Sequence, residues 1–208
     1  MSRHTHRAIE DLVERAALGP VPIKTPDPKK SIVTCRVLRV GDIADELGRI
    51  PPFPDNREHQ ESFPNAPSVG KATVEVGDVV LVARGARPKV GLVGEAAAGA
   101  VVSANLMLLR PKAGVLLGAV LAWWLDSAQG REGLSRMNRS STVGIPSLSV
   151  HDVLRLEMPV PPMNIQRALA EMLEAASDSA QAERCATHGR QELARALAAR
   201  ALLATGDA

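Results

Sequence analysis

Three prolines within four residues, Pro159, Pro161 and Pro162, cut the chain into two unlike parts. Proline fixes its own backbone and donates no hydrogen bond, so no helix runs through this stop. Beyond it, residues 164–204 are alanine-rich and almost continuously helix-forming, with Gly189 the only interior breaker. Apolar residues gather near the two ends of that segment, at Ile165, Leu169, Met172, Leu173 and Ala176 and again at Leu193, Leu197, Leu202 and Leu203, around a middle of Ala, Ser, Gln and charge. So little apolar surface cannot hold a helix alone in water. It must pack on the rest of the chain, on another copy in coiled-coil fashion, or on a different protein.

Before the stop, the 208-residue chain has room for one domain of ordinary size. Residues 7–18 read as a short amphipathic helix, with Ile9, Leu12, Val13 and Ala16 at helical spacing, stopped by Gly19-Pro20. Residues 20–30 carry four prolines and must be extended. Residues 32–40 alternate like a strand that Gly41-Asp42 turns, and residues 50–67, rich in Pro, Asn, Asp and Glu, mark a long surface loop. Residues 74–83 predict strand, turn and strand, the run Val79-Val80-Leu81-Val82-Ala83 being suited to burial on both faces. Further strands are expected at 90–93, 101–102 and 106–109. Residues 116–127 are helical, with Leu117, Val120, Leu121, Trp124 and Leu125 on one broad face. A polar loop over 130–144 follows, then a short element and a final strand about 153–158. The fold class is α+β: a small mixed or antiparallel-sheet domain with helices, followed by a long C-terminal helical arm. Its parts are an N-terminal helix and extended arm (1–35), a globular domain (36–162) and the helical arm (163–208).

Composition narrows the classes of function. A hydrophobic fraction of 45% and a charged fraction of 23% are globular averages, so disorder is not the default. Tyrosine is absent and the aromatics are Phe53, Phe63, Trp123 and Trp124. The core must be Val, Leu, Ile and Ala, and base-stacking platforms are scarce. Inside an apolar helix, Trp123 and Trp124 read as core. The longest apolar run, 115–125, falls short of the ~20 residues that span a bilayer, and no secretory-like segment opens the chain, which predicts a cytoplasmic protein. Cys35 and Cys185 lie far apart and outside any CxxC spacing, so reduced thiols are expected rather than a zinc site or a disulfide.

The net charge of +2 is too small to announce a nucleic-acid partner, but the charge is unevenly placed. Arg84, Arg87, Lys89, Arg110 and Lys112 stand against Glu95 alone, and Arg131, Arg136 and Arg139 against Glu132. The stretch from Gly85 to Gly91 reads equally as a basic turn between strands or as a loop touching phosphates. No Gly-Lys-Ser/Thr follows it, so it is not a nucleotide cradle. Arg87 is the favoured contact there, because an exposed guanidinium pairs bidentately with guanine or phosphate. In the 130–144 loop, Arg131, Arg136, Asn138, Arg139, Ser140, Ser141 and Thr142 combine charge with short hydrogen-bonding side chains, the mixture that DNA contacts require, although an ordinary solvated loop has the same composition.

Catalytic constellations are not found. His4, His6, His59, His151 and His188 are scattered, and the pair His4/His6 sits at a terminus, so no metal and no cofactor are expected. Asp42 and Asp78 each follow a glycine, which reads as turn chemistry. A small enzyme using His151 or Asp78 would need a pocket joining one of them to a nucleophile.

Several stretches together resemble the target-recognition domain of type I restriction-modification specificity subunits. Val76-Gly77-Asp78-Val79-Val80-Leu81-Val82-Ala83-Arg84-Gly85 is similar to that family's Gly-Asp strand entering a glycine turn, and Val40-Gly41-Asp42-Ile43 to the opening of the domain. Val102-Ser103-Ala104-Asn105-Leu106 resembles the serine and apolar strand that follow. Leu121 to Leu125 with Asp126-Ser127 resembles its Leu-x-Ser helix end. Thr142-Val143-Gly144-Ile145-Pro146-Ser147-Leu148 and the strand from Leu154 to Met158 resemble its threonine loop and last strand. Pro159-Val160-Pro161-Pro162-Met163-Asn164-Ile165-Gln166 is close to the family's junction into its conserved helix, and the segment from Leu193 to Gly206 resembles that helix's end. Ile165 stands where a glutamate is common.

The similarity covers residues 38–206 and implies a non-catalytic protein. Duplex DNA would be gripped by Arg84, Arg87, Lys89, Ser103, Asn105, Arg136, Asn138, Arg139, Ser140 and Thr142. Gln166, Leu169, Met172, Leu173, Leu193 and Leu197 would dock a DNA methyltransferase subunit, with or without a nuclease subunit. Members of the family carry two recognition domains and two helices, whereas this chain has one of each. That implies a homodimer whose C-terminal helices pair antiparallel to read a symmetric, two-part site. The rival expectation is a scaffold or regulator that keeps the fold without binding DNA.

Overall fold

The computed structural model describes residues 5–23, 31–44, 50, 59–64, 67–85, 88–137, 139–140 and 146–204. In chain order they form β1 (Thr5–Ala8), α1 (Ile9–Leu12), β2 (Val13–Leu18), β3 (Ile32–Leu38), a 3-10 turn (Val40–Asp42), β4 (Gln60–Pro64), α2 (Pro67–Lys71), β5 (Val79–Val82) and β6 (Val90–Leu92). There follow β7 (Val101–Val102), β8 (Leu106–Pro111), α3 (Gly118–Asp126), α4 (Ala128–Met137), β9 (Arg139–Ser140), β10 (Pro146–Ser147), α5 (Val150–Leu154), β11 (Glu157–Val160) and α6 (Met163–Ala204). The class is α+β with mainly antiparallel sheet.

The central sheet runs β2-β8-β5-β6, all antiparallel, and the second runs β4-β3-β7, in which β3 and β7 are parallel. Strand periodicity divides the apolar residues between two cores. From β5 and β8, Val79, Leu81, Met107 and Leu109 pack with Val120, Leu121, Trp124 and Leu125 of α3. Their neighbours Val80, Val82, Leu106 and Leu108 pack with Val37, Leu38, Phe63 and Val101 of the second sheet. The central strands are thus buried on both faces, as their unbroken apolar run requires.

One polar contact sits at the end of this sheet. Arg110, the last polar residue of β8, is 7% exposed. It donates from Nε to Asp78 Oδ1 at 2.8 Å, from Nη2 to Asp78 Oδ2 at 2.8 Å and to the Thr73 carbonyl at 3.1 Å, and from Nη1 to Glu75 Oε1 at 2.6 Å. Asp78 Oδ2 also accepts from the Glu75 backbone N–H at 2.7 Å, closing the turn that opens β5. Gly77 occupies that turn at φ +90°, where a side chain would be strained.

A second polar contact roots α6. Gln166 is 1% exposed. Its Oε1 accepts from the Leu117 N–H at 2.9 Å, and its Nε2 donates to the carbonyls of Val115 at 3.0 Å and Pro161 at 2.9 Å. The start of α6 is thereby tied to the segment leading into α3.

Five sequence expectations are corrected. Residues 7–18 are not one helix but β1, a single turn and β2. Ile9 and Leu12 bury in that turn, and the following residues supply backbone partners to the edge of β8, whose own buried N–H and C=O groups would otherwise be left unpaired. β1 pairs with β11, so the residues assigned to an N-terminal arm belong to the sheet layer. Within the expected 50–67 loop, β4 pairs with β3 and buries Phe63 completely. The last strand begins at Glu157, because residues 150–154 form α5, capped by Ser149 Oγ accepting from the Asp152 N–H. Finally, residues 130–137 of the expected loop belong to α4, which buries Leu134.

Replacing Arg110 by Met would strand the Asp78 carboxylate, 2% exposed, without its cation. Urea unfolding should register a loss of about 3–5 kcal/mol. Arg131→Met, which removes a half-exposed pair with Asp126, should cost under about 1 kcal/mol. Equal losses at the two positions would contradict this assignment.

Candidate nucleic-acid interface

Where β5 leaves the central sheet, backbone hydrogen bonds gather segments far apart in sequence. The N–H groups of Ala83 and Arg84 both donate to the Asn105 carbonyl, at 2.8 and 3.3 Å. Leu148 N–H donates to the Ala83 carbonyl at 2.8 Å, and Gly85 N–H to the Pro146 carbonyl at 3.2 Å. Arg84 bridges Ser147, and β10 pairs with β9 through Pro146 with Ser140 and Ser147 with Arg139. Val82 N–H donates to the Lys89 carbonyl at 2.9 Å, which brings in the far side of the β5–β6 hairpin. Ser103 is held from behind, its N–H donating to the Leu38 carbonyl at 2.9 Å and its own carbonyl accepting from the Leu106 N–H at 2.9 Å.

Of the ten residues expected to touch DNA, Arg84, Lys89, Ser103, Asn105, Arg139 and Ser140 therefore share one end of the sheet. Arg84 and Asn105 are exposed and Lys89 and Ser103 half-buried. Among the described residues, the Arg84 guanidinium has no ion-pair partner. The side chains of Arg139 and Ser140, and the whole of Arg87, Asn138 and Thr142, lie outside the described residues. Arg136 is exposed in the last turn of α4, just before β9, and pairs with Glu132 one turn back. A pair this exposed is worth little, so the guanidinium remains exchangeable.

Other expected cations are spent internally. Arg110 belongs to the buried contact described above, and the Asp78 hydrogen bonds hold its guanidinium above the ordinary arginine value. Lys112 donates to the Asp11 carbonyl at 2.9 Å, and Arg131 pairs with Asp126 at 2.7 Å. The local excess counted along the sequence is thus smaller in space, and it is concentrated near Arg84.

The partner-facing residues also sort themselves. Gln166 is corrected: it is interior and bonded within the chain, so it roots α6 and offers nothing to a partner. Leu169 packs partly against the first core and Leu173 is half-buried. Met172 is 68% and Leu193 61% exposed, and the Leu197 side chain lies outside the described residues.

Catalytic alternatives lose their groups. Asp78 is engaged by Arg110, and His151 is exposed on α5 beside Asp152 at 3.9 Å. Burial pushes the Cys35 thiol up, away from a reactive thiolate. Among the described residues no cluster of His, Cys, Asp and Glu could hold a metal ion, and no helix is long and apolar enough to cross a membrane. Trp124 is core, as expected, while Trp123 is 46% exposed on the other face of α3. Sequence reasoning missed Ser147 and Leu148, which meet Arg84 and Ala83; the only local signal was the pair Gly85 and Pro146, a turn facing a strand start.

Gly19 sets the position of Ser103. A β-carbon on Gly19 would lie 2.0 Å from the Val102 carbonyl oxygen and 2.2 Å from that of Ser103. Gly19→Ala should lower stability by at least about 1–3 kcal/mol in a thermal melt. Gly41→Ala, with open space around its β-carbon, should cost much less. An unchanged melting temperature for Gly19→Ala would sink the close-contact account.

No protein-family model and no curated protein matches the chain. Solved structures do. The HsdS subunit from Thermoanaerobacter tengcongensis matches at TM-score 0.59 and 19% identity, over 90% of this chain and 45% of that one. A structure reported for complex assembly and conformational transition of the type I R-M system matches at TM-score 0.56 and 16% identity, over 94% and 44%. The S subunit of a type I restriction-modification system from M. genitalium matches at TM-score 0.50 and 15% identity, over 84% and 40%. The resemblance read from the sequence is therefore a likeness of fold to specificity subunits, and the chain spans less than half the length of each structure it matches.

Proposed function

We propose that the chain is a sequence-specific duplex-DNA recognition module, the specificity subunit of a restriction-modification complex, which carries out no chemistry itself. The observation that carries this reading is the convergence of Arg84, Lys89, Ser103, Asn105 and the β9–β10 hairpin at one end of a rigid sheet. The exposed Arg84 guanidinium there would supply phosphate affinity, and the short polar side chains of Ser103 and Asn105 beside it would supply hydrogen bonds to base edges. Elements far apart in sequence but locked by backbone hydrogen bonds present such groups at fixed spacing, which base readout needs.

On this reading α6 is a helical arm that spaces the domain from its partners. Its exposed Met172 and Leu193 serve as docking points for a DNA methyltransferase subunit and a nuclease subunit, and for a second copy of the chain. A homodimer would make up the length lacking relative to the matched structures and would present two recognition ends to a two-part site.

A second reading, a scaffold or regulator with this fold but no DNA affinity, draws support from the buried pairing of Arg110 and from the small net charge. Binding to random duplex DNA separates the two. The recognition module should lose affinity steeply as salt rises from about 50 to 200 mM. Arg84→Ala should weaken binding to all sequences alike and lower the salt slope by about one, whereas Arg131→Ala should do neither. Absence of salt-dependent binding at 50 mM would favour the scaffold.

A further inference from the structure

Asn105 is the third residue of the tight turn that joins β7 to β8. The Leu106 N–H donates to the Ser103 carbonyl at 2.9 Å and closes the turn, and the Ser103 N–H ties it to the Leu38 carbonyl, also at 2.9 Å. Between residues 101 and 110 every other residue is buried or half-buried, and Asn105 alone is exposed. Its carbonyl is occupied twice, by the N–H groups of Ala83 and Arg84. The turn is thus pinned to both sheets, while the Asn105 amide has no hydrogen-bond partner among the described residues.

Asparagine is common in turns for two internal reasons. It tolerates a positive φ, and its side chain bonds the backbone two residues on. Neither operates at this position: among the described residues every positive φ belongs to a glycine, and the amide bonds nothing. The turn therefore holds a donor and an acceptor side by side in solvent, on a backbone that cannot drift. Beside them stands the exposed Arg84 guanidinium, which suits a phosphate. Ser103, two residues back, is half-buried, and a hydroxyl that both donates and accepts discriminates little between bases.

A planar amide is matched by only one base edge of the major groove. Adenine sets a donor, its N6 amino group, beside an acceptor, N7. Guanine offers two acceptors, cytosine an amino donor, and thymine an acceptor and a methyl group. We infer that Asn105 reads an adenine in the major groove, Oδ1 accepting from the N6 amino group and Nδ2 donating to N7, with Arg84 on a neighbouring phosphate. This rests on the proposed duplex recognition and names the base that one of its residues selects.

The test selects duplexes bound by the full chain from a randomised pool and measures each base preference by gel retardation. One position should require adenine. Placing 7-deazaadenine there, which keeps the base pair but removes the N7 acceptor, should weaken binding about 2- to 12-fold. Asn105→Ala needs no unusual backbone and should leave the melting temperature unchanged. It should cut the preference for adenine at that position about 5- to 150-fold, leave the other positions as they were and abolish the sensitivity to 7-deazaadenine. Arg84→Ala should weaken every duplex alike and keep that sensitivity. If Asn105→Ala retains every base preference, or if the unaltered chain is indifferent to 7-deazaadenine at every adenine, the assignment is overturned and duplex recognition stands. If no sequence is enriched from the pool, both fail.

Discussion

A guanidinium taken out of water must be answered on every side, and the structure is arranged around how Arg110 is answered. Asp78 meets it with both carboxylate oxygens, Glu75 with one, and the Thr73 carbonyl with a third acceptor group. Geometry of this quality is what allows a buried pair to offset the cost of desolvation. The same Asp78 closes the turn before β5, and β8 leads directly into the segment that Gln166 holds. One ion pair therefore connects the start of the central strand, the end of its neighbour and, through Gln166, the root of α6.

The sheet also separates two kinds of electrostatics. Arg84 and Asn105 lie at one end of β5 and β8, the carboxylates of Glu75 and Asp78 at the other, and six residues of β8 at about 3.3 Å each put roughly 20 Å between them. That is about two screening lengths at physiological salt. Carboxylates at the Gly77 end therefore take little from the positive field around Arg84 at the other.

Much of this was legible from residue order. The unbroken apolar runs of β5 and β8 and the α3 stripe were read correctly because their burial depends on local pattern. The junction prolines announced the start of α6 for the same reason. α4 was hidden because its glycines look like loop. In space Gly130 lets the helix lie against α3, where a β-carbon would fall 2.1 Å from the Trp124 carbonyl, and Gly133 faces Leu156. β2 was hidden by the opposite effect: Ile9, Leu12 and Val13 have helical spacing, but the open edge of β8 outbids one exposed helix. At the candidate interface, the pairing of Arg84 with Ser147 was illegible because it joins residues some 60 positions apart through backbone hydrogen bonds that leave no local pattern. The inward turn of Gln166 was equally so, since an amide near a helix start more often caps it than enters the core.

A strand with one wet face polices its own alignment, since a shift by one residue would put its oily side chains in water. β5 and β8 have no wet face. Val79 and Val80 are both fully enclosed, so hydrophobicity alone would accept a pairing slipped by one position. A slip would, however, carry the guanidinium of Arg110 across to the opposite side of the pleat and leave Asp78 unanswered. In this fold, the charge at the end of the ladder acts as the proofreader for a pair of strands whose own side chains cannot tell one alignment from the next.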